Sequence, residues 1–409
     1  MICQVFFHSS LKIDFRLAIL NSPCYFIGTL IQTNKGYDFM TQPICNVPFD
    51  LLENFMKDVF ILHNVPESDA AICANHLITA DKRGMDTHGI GRFKPIYIDR
   101  INAGIVNPVT QIKVIKESPA TAVIDGQNGM GHVISKQAME IAIEKARHFG
   151  MGMTAVRNSN HFGIAGYYAI MAAEQNMIGI IGTNARPSVA PTLGVEPMLG
   201  TNPLCFGMPS DEAFPFVLDC ATSLVQRGKI EAYSRLGKSL PEGWVLGEDG
   251  CFRTDTDQVL IDFVKGKASL TPLGGPTEEM AGYKGYGYST VVEILSAALQ
   301  QGSFLKGLTG LDPEGKKQSF SLGHFFMAIS IEAFTDPSDF RKTTGDILRA
   351  LRNARKMPGE DRVYTAGEKE HLTFQKRMNI GAPVDEVVQK QLKELRDKWH
   401  LNQYQFPFE

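Results

Sequence analysis

Two short segments of the chain hold a histidine among small polar residues. His161 lies in the sequence Asn-Ser-Asn-His-Phe-Gly at residues 158–163, and His88 lies in Asp-Thr-His-Gly-Ile-Gly-Arg at residues 86–92. Hydrogen-bonding neighbours can fix the orientation and the tautomer of an imidazole, and proton transfer requires both. Arg92 follows His88 by four residues, so a helix would place the two side chains on one face. The pattern predicts acid–base chemistry on an anionic substrate, whereas either histidine taken alone could be structural.

Arginine is the usual partner of a substrate carboxylate, because its planar fork makes two parallel hydrogen bonds. An imidazole beside Arg92 could exchange a proton with a hydroxyl or carbonyl oxygen at a pKa near neutrality. Two structural alternatives stand beside this interpretation. Thr87 could cap a helix with its hydroxyl, and Arg92 could belong to a surface ion pair.

Further polar residues follow predicted strands or lie in glycine-rich turns. Asp219 ends a predicted strand, where carboxylates in α/β proteins often line a cleft or cap the next turn. Lys284 stands between glycines just before a predicted helix, where backbone N–H groups could hold a phosphate. Asn184 and the segment 200–203 add amides in turns. Each feature is weak alone, and their combination in one chain is more informative.

The familiar nucleotide-binding and hydrolase motifs are absent from the sequence. One stretch, Gly150 to Ala155, matches G-x-G-x-x-A, but it follows a predicted helix and opens a strand, the reverse of the order in a Rossmann fold. No P-loop, H-E-x-x-H helix or G-x-S-x-G elbow occurs. A dinucleotide would therefore have to bind without the usual glycine-rich turn.

Composition excludes several classes of protein. The 409 residues are 44% hydrophobic and 21% charged, typical of a soluble globular chain with room for two domains. A formal net charge of −3 offers no positive excess for a phosphate backbone, so nucleic acid is not an expected partner. Seven scattered cysteines without a C-x-x-C pair favour reduced thiols in the cytoplasm over disulfides or zinc, and we predict no metal site.

The first 39 residues differ in composition from the rest. Their apolar stretches are interrupted by Lys12, Asp14 and Arg16 before they reach the roughly 20 residues of a membrane span, so no membrane association is expected. A transit peptide or a poor signal peptide is one interpretation. A start at Met40 is the other, and we favour it. Residues 1–39 are therefore predicted to be an extension outside the fold.

Hydrophobic periodicity predicts helices towards both ends of the chain and an α/β core between them. Helical spacing covers residues 48–64, 67–84, 94–104 and 383–399, with Gly84 as a C-cap. In the core, predicted strands alternate with helices. The strands are 112–115, 121–124, 153–156, 178–181, 214–218 and 324–331, and the helices are 134–149, 164–175 and 287–301. Residues 236–284, rich in Gly, Pro and charge, are predicted to be irregular apart from a strand at 244–246.

Six segments together resemble the malate/L-lactate dehydrogenase family. This is the type-2 group, which also includes ureidoglycolate, sulfolactate and diketogulonate enzymes and a cyclic imino acid reductase. The segments occur in the family's order and span most of residues 47–400. They are Asp86–Arg92, Asn158–Gly163, Gly200–Pro203, Leu218–Ser223, Gly282–Gly287 and Gly323–Phe326.

The resemblance implies a fold, a cofactor and an assembly. It implies an α/β domain of non-Rossmann topology at residues 112–334, which binds a nicotinamide dinucleotide, either NAD or NADP. It further implies a helical, substrate-side domain formed from both chain ends, at residues 47–111 and 335–400. A homodimer with active sites near the subunit interface is the expected assembly.

The resemblance also implies roles for individual residues. His88 matches a proton donor or acceptor assisted by Thr87 and Asp219, whereas in ureidoglycolate-type members the catalytic histidine matches His161, and the sequence leaves this choice open. Arg92 matches a residue that meets the substrate. The implied cofactor contacts are His161, Phe162, Gly163, Asp219, Cys220, Ala221, Lys284, Gly323 and His324.

This chain departs from the family pattern at three positions. Thr87 replaces a common serine and keeps the hydroxyl. Ala185 stands where serine is also common, and without that hydroxyl one hydrogen bond to cofactor or substrate is not assured. Cys220 replaces a more usual methionine.

We therefore expect reversible hydride transfer between NAD or NADP and a small 2-hydroxy acid, malate first and lactate second. Arg92 would anchor the carboxylate and His88 would exchange the hydroxyl proton. One alternative is an NADPH-dependent reductase of a cyclic imino acid or a diketo sugar acid. Another is an inactive relative that still binds a dinucleotide. The choice between NAD and NADP stays open, because no acidic or basic residue follows a glycine-rich turn to report on the ribose.

Overall fold

The computed structural model describes residues 44–409. The predicted extension at residues 1–39 and the predicted start at Met40 lie outside the described residues. In the described part of the chain, no helix combines the length and the apolarity needed to cross a membrane.

A seven-stranded mixed sheet forms the centre of the molecule, and two further pairs of short strands lie outside it. The strands are β1 (Cys45–Val47), β2 (Lys113–Glu117), β3 (Thr121–Asp125), β4 (Met151–Ser159), β5 (Met177–Thr183), β6 (Leu204–Met208), β7 (Phe216–Cys220), β8 (Val245–Gly247), β9 (Ala268–Leu270), β10 (Leu322–Ser330) and β11 (Ala382–Val384). In the central sheet their order is β2-β3-β4-β10-β5-β6-β7. The pair β3–β4 is parallel and every other neighbouring pair is antiparallel. The topology therefore differs from the parallel sheet of a Rossmann fold.

The predicted helices are present, with shifted ends. The helices are α1 (Phe49–Leu62), α2 (Glu67–Lys82), α3 (Ile90–Arg92), α4 (Asp99–Asn102), α5 (Gly131–Phe149), α6 (Ala165–Ala173), α7 (Arg227–Arg235), α8 (Thr256–Lys265), α9 (Gly282–Ala297), α10 (Pro337–Arg352), α11 (Glu368–Arg377) and α12 (Glu386–Lys398). Gly84 has a φ of +83° and follows the end of α2, the geometry expected of a glycine at a helix terminus. Pro95 lies in a π-helical turn, Phe93–Ile98, that joins α3 to α4.

Strand β10 lies at the middle of the sheet, between β4 and β5, although it is the last of the seven strands in the sequence. Phe326 pairs with Thr154 on one side and with Ile181 on the other. Both Phe325 and Phe326 are buried, because the strand is covered on its two faces. This strand joins the half-sheet β2-β3-β4 to the half-sheet β5-β6-β7.

Helices α5 and α6 pack on the central sheet. Their apolar residues and those of the sheet form one hydrophobic cluster that includes Tyr168, Val156 and Phe326. Gly152 lets β4 approach α5 closely, since a Cβ at that position would collide with the carbonyl oxygen of Ala142. The glycines of the G-x-G-x-x-A match therefore serve helix–strand packing, with Gly150 ending α5 at a φ of +80°.

A second hydrophobic cluster unites the two ends of the described chain. It holds residues of α1 to α4 together with residues of β11, α12 and the final segment. Phe55 contacts Tyr404 and Phe406 edge-on, each at a centroid distance of 5.3 Å. Strand β1 pairs with β11 in the same region, with Cys45 opposite Val384. The division into domains at residues 111 and 335 stays a prediction.

The prediction of irregular structure at residues 236–284 was wrong. Helix α8 and the pair β8–β9 lie there, preceded by α7, and the first turn of α9 begins before the segment ends. Val245, Val259 and Leu270 form a separate hydrophobic cluster with Ile230 of α7. The strand predicted at 244–246 corresponds to β8, whereas the three-residue β9 is too short for an alternating pattern to stand out among the glycines and charges.

Candidate active site

The loop that carries His88 is held by two helices. Asp81 of α2 is buried, and its Oδ2 accepts a hydrogen bond of 2.7 Å from the Ile90 N–H. Gly89 lies against the same carboxyl group, where a Cβ would collide with it. Arg377 of α11 donates to Asp86, with 2.9 Å between Nη2 and Oδ2. The position of His88 therefore depends on residues from distant parts of the sequence.

Thr87, His88 and Arg92 form one connected group. Thr87 Oγ1 lies 2.8 Å from His88 Nδ1, and Arg92 Nε donates to the Thr87 carbonyl oxygen at 2.6 Å. Burial, and to a smaller degree the neighbouring Arg92, lowers the pKa of His88 to about 4. The imidazole is therefore neutral at physiological pH when no anion is nearby. The Thr87 hydroxyl is thus placed to hold the orientation of the His88 ring.

His161 lies beside His88, with the two rings nearly parallel and their centroids 5.8 Å apart. The Nδ1 atom of His161 is 2.6 Å from the Tyr97 hydroxyl and 3.3 Å from the Gly163 amide nitrogen. Burial lowers the pKa of His161 well below its ordinary value, and the charges of His88 and Arg100 lower it further. The structure thus brings together the two histidines that the sequence placed 73 positions apart.

Helix α7 covers one side of this group. Gly228 packs on Thr87 and Arg92, since a Cβ on it would lie 3.0 Å from Thr87 Cγ2 and 3.3 Å from Arg92 Nη2. Glu231 Oε2 is 3.9 Å from Arg92 Nη2, and Glu231 Oε1 accepts a hydrogen bond of 3.0 Å from Arg227 Nε. One carboxylate of α7 therefore lies between two arginines at the site.

Two further arginines make the region strongly cationic. Arg100 lies over the ring of Phe320, 4.2 Å from its centroid, and neither it nor Arg186 makes an ion pair with a carboxylate of residues 44–409. Burial and, to a smaller degree, the neighbouring Arg186 lower the pKa of Arg100 to about 10, while Tyr97 acts in the opposite direction. The pKa of Arg186 is lowered by burial and then by Arg227. An anionic ligand would relieve the mutual repulsion of these side chains.

Asp219 lies apart from His88. It occupies the end of β7, and its Oδ2 accepts a hydrogen bond of 2.7 Å from the Gly166 N–H, at the start of α6. Burial raises the pKa of its carboxyl group, whereas the Gly166 amide and Arg83 act in the opposite direction. Within the described residues no hydrogen bond joins Asp219 to His88, so its catalytic role stays a prediction.

The residues expected to contact a cofactor fall into two groups. Phe162 and His324 are buried and stacked at 4.7 Å, and Gly323 packs tightly on the Ser296 carbonyl oxygen of α9. Cys220 and Lys284 are instead exposed. Helix α9 starts at Gly282, five residues before the predicted start, so Lys284 lies in its first turn.

The chemistry of α9 fits an anionic cofactor. No side chain caps its N-terminus, and Lys284 adds an exposed positive charge in its first turn, whereas the Gly282 and Lys284 N–H groups donate to the Thr277 and Ala281 carbonyl oxygens. Pyrophosphate, common to NAD and NADP, is such an anionic group. In the described part of the chain, no group of three or more His, Cys, Asp or Glu residues is placed to hold a metal ion.

The sequence did not indicate several residues of the site. Tyr97, His132, Arg100 and Glu231 carry no local motif, and their neighbours along the chain are ordinary helical residues. Their contacts with the site arise only when distant helices pack together.

Comparisons with known proteins identify the family of this chain. The family model described as malate/L-lactate dehydrogenase matches residues 47–393. A malate dehydrogenase of Pyrococcus abyssi is 43% identical over 88% of this chain and 96% of its own length. An L-sulfolactate dehydrogenase of Methanocaldococcus jannaschii is 40% identical over 84% of this chain and 94% of its own length. The crystal structure of malate dehydrogenase from Entamoeba histolytica superposes with a TM-score of 0.85 and 48% identity, covering 87% of this chain and 98% of that one. The chain belongs to the malate/L-lactate dehydrogenase family.

Proposed function

We propose that this protein is an NAD- or NADP-dependent dehydrogenase that interconverts malate and oxaloacetate. The observation that carries the proposal is the meeting of His88, His161 and Arg92 in one cationic site. An arginine for a carboxylate and imidazoles for a hydroxyl or carbonyl oxygen are the groups that a 2-hydroxy acid requires.

The charge of the site favours a dianion over lactate. Arg92 and Arg100 both lower the pKa of His161. Arg186 lowers the pKa of Arg100, and Arg227 lowers that of Arg186. Glu231 is the carboxylate paired with Arg92 and Arg227. Malate carries two carboxylates and lactate carries one. Sulfolactate is also a dianion, and one relative is named as its dehydrogenase, so it is the second candidate substrate.

In this mechanism Arg92 binds the carboxylate next to the reacting carbon. His88 takes the hydroxyl proton when the acid is oxidised and returns it when the oxo acid is reduced. Thr87 orients the His88 ring through Nδ1. A bound carboxylate raises the low pKa of His88, because it places a negative charge beside the imidazole and offsets Arg92. Substrate binding and proton uptake are therefore coupled.

The cofactor would be held by the exposed charge of Lys284 in the first turn of α9, with Cys220 and Ala221 near the end of β7. When bound, the nicotinamide supplies or accepts the hydride. The proposal leaves NAD and NADP as alternatives. It also includes contacts between the cofactor and Phe162, Gly163, Gly323 and His324.

We further propose that the protein is a homodimer. Helix α9 and the segment after it expose several large apolar side chains, among them Tyr288 at 58%, Ile294 at 54% and Phe304 at 60%. Ile294 and Phe304 also line a cavity of about 550 Å³. Apolar surface of this kind is typical of a protein–protein interface.

The test is nicotinamide oxidation by purified protein, with NADH and NADPH in parallel. The acids are oxaloacetate, pyruvate and the 3-sulfo analogue of pyruvate. We expect the largest kcat/KM with oxaloacetate, and a tenfold or greater rise in its KM for Arg92→Lys, on the scale of one lost charged hydrogen bond. Arg147→Lys, at the exposed end of α5, is the control.

Other outcomes would replace the proposal. Turnover of a cyclic imine or a diketo acid alone would keep the site and change the substrate. Thermal stabilisation by a cofactor without turnover of any acid would indicate an inactive relative.

A further inference from the structure

The hydrogen bonds around His161 determine where its proton lies. The Gly163 backbone N–H points at His161 Nδ1 at 3.3 Å, and a backbone amide can only donate. Nδ1 of the neutral ring must therefore carry the lone pair, and Nε2 carries the proton. The Tyr97 hydroxyl, 2.6 Å from the same Nδ1, must then donate to it as well.

The orientation of the Tyr97 hydroxyl fixes the next group. Because the Tyr97 hydroxyl donates its proton to His161, its oxygen can only accept a hydrogen bond from its other neighbour. That neighbour is His132 Nε2, 3.0 Å away, so His132 carries its proton on Nε2. Both side chains are buried, with Tyr97 3% and His132 0% exposed. Burial raises the pKa of Tyr97 and lowers that of His132, so both stay neutral around pH 7.

None of the groups that face His161 would stabilise a positive charge on its ring. They are Tyr97 and His132 in the chain of hydrogen bonds, His88 on the face of the ring, and the side chains of Arg92 and Arg100. The side chain that forms a hydrogen bond with its Nδ1 atom is a phenol and not a carboxylate. The arrangement keeps His161 uncharged and directs the Nε2–H away from Tyr97.

We propose that Tyr97, supported by His132, is a positioning residue that holds His161 as the Nε2–H tautomer, so that His161 donates a hydrogen bond to the substrate oxygen. In this arrangement His161 cannot accept the hydroxyl proton at Nε2, and His88 is the acid–base group. The tautomer follows from hydrogen bonds of this chain. The division of roles between the two histidines rests on the proposed function.

The test is Tyr97→Phe, which removes the hydroxyl and keeps the ring. The first readout is the ¹⁵N spectrum of selectively labelled histidines near pH 7.5, with His161 assigned from the spectrum of His161→Gln. We expect Nδ1 of His161 without a proton and Nε2 with one in the unmodified protein, and a mixture of both tautomers in Tyr97→Phe. The second readout is turnover, where we expect kcat to fall about twofold to tenfold, in proportion to the lost Nε2–H fraction, with the Kd for NADH unchanged.

Tyr168→Phe is the matched control. Tyr168 is equally buried, and its hydroxyl donates to the Phe162 carbonyl oxygen at 2.6 Å instead of to an imidazole. It should leave the His161 spectrum and kcat close to those of the unmodified protein. If Tyr97→Phe does not fold, His132→Leu and His132→Gln repeat the test, because glutamine can still donate to Tyr97 and leucine cannot. We expect the glutamine variant to retain more activity.

Two results would overturn the proposal. One is a proton on Nδ1 of His161 in the unmodified protein, and the other is a Tyr97→Phe spectrum that matches the unmodified one. A protein that turns over none of the acids would contradict the proposed function instead. The tautomer would still be read from the spectrum, so the two failures are distinguishable.

Discussion

Among single residues, His88 shows how burial and charge determine when an imidazole takes up its proton. Its pKa of about 4 makes it neutral before substrate binds, because an imidazolium would lie half-buried beside Arg92. Since an anionic substrate raises this pKa, the proton needed for reduction enters together with the substrate. The reverse reaction begins with the neutral ring, which is ready to accept a proton.

Replacement of His88 by alanine should remove this proton exchange. We expect kcat to fall by about 10²–10⁴, the usual contribution of a general acid–base group, because no other side chain takes its place beside Thr87. The Kd for NADH should change less than threefold. Steady-state kinetics and fluorescence titration measure the two quantities. A comparable loss of cofactor binding would contradict the assigned role.

Asp81 should make stability depend on pH. Burial raises the pKa of its carboxyl group from 3.8 to about 8, so between these values the folded protein holds a proton that the unfolded chain releases. The free energy of unfolding therefore falls as pH rises through this window, by about 1.4 kcal/mol per unit for this one group. Asp81→Asn should remove that slope, as measured by urea unfolding from pH 5 to 8. The exposed Asp361→Asn should retain it.

At the scale of elements, glycine-dependent contacts position the site. Gly163 has a φ of +80°, and a Cβ there would collide with the ring of His76. This geometry lets the chain turn sharply after His161 and enter α6. The same residue supplies the amide that donates to His161 Nδ1.

Gly163→Ala should destabilise the fold by about 3 kcal/mol or more, because left-handed strain and a collision in the core add together. Gly287→Ala is the contrasting variant. It lies in α9 with no atom within 4 Å of a new Cβ, so we expect it to stabilise by about 0.5–1 kcal/mol. Urea unfolding followed by circular dichroism measures both. Equal effects in the two variants would refute the argument.

How much of these elements the sequence could predict depends on their length and their partners. Helices with a wide apolar stripe, such as α1, α2 and α5, were predicted within a few residues. Strand β6 and the region of α7 and α8 were missed, because short strands and charged surface helices give little periodic signal. Thr87, His88, Arg92 and His161 could be chosen from local motifs. Tyr97 and Glu231 could not, since their roles depend on tertiary packing.

At the scale of the whole molecule, the exposed apolar face of α9 can test the proposed dimer. Ile294→Glu should shift the protein to the mass of a monomer in light scattering, because it buries a charge in an apolar contact. Ile347→Glu, a similarly exposed position on α10, is the control and should leave the mass unchanged. A dimer that survives Ile294→Glu would place the interface elsewhere.

The central position of β10 has a consequence for synthesis on the ribosome. The half-sheets β2-β3-β4 and β5-β6-β7 are translated first, and each keeps one inner edge unpaired until residue 330 has left the exit tunnel. Unpaired strand edges can form hydrogen bonds with strands of other chains, so the nascent chain is prone to aggregate during this interval. We expect chaperones to bind it at this stage. Arg377, the partner of Asp86, emerges later still. The loop bearing His88 therefore gains its full support only after α11 has emerged, and translation products that end before residue 377 lack it.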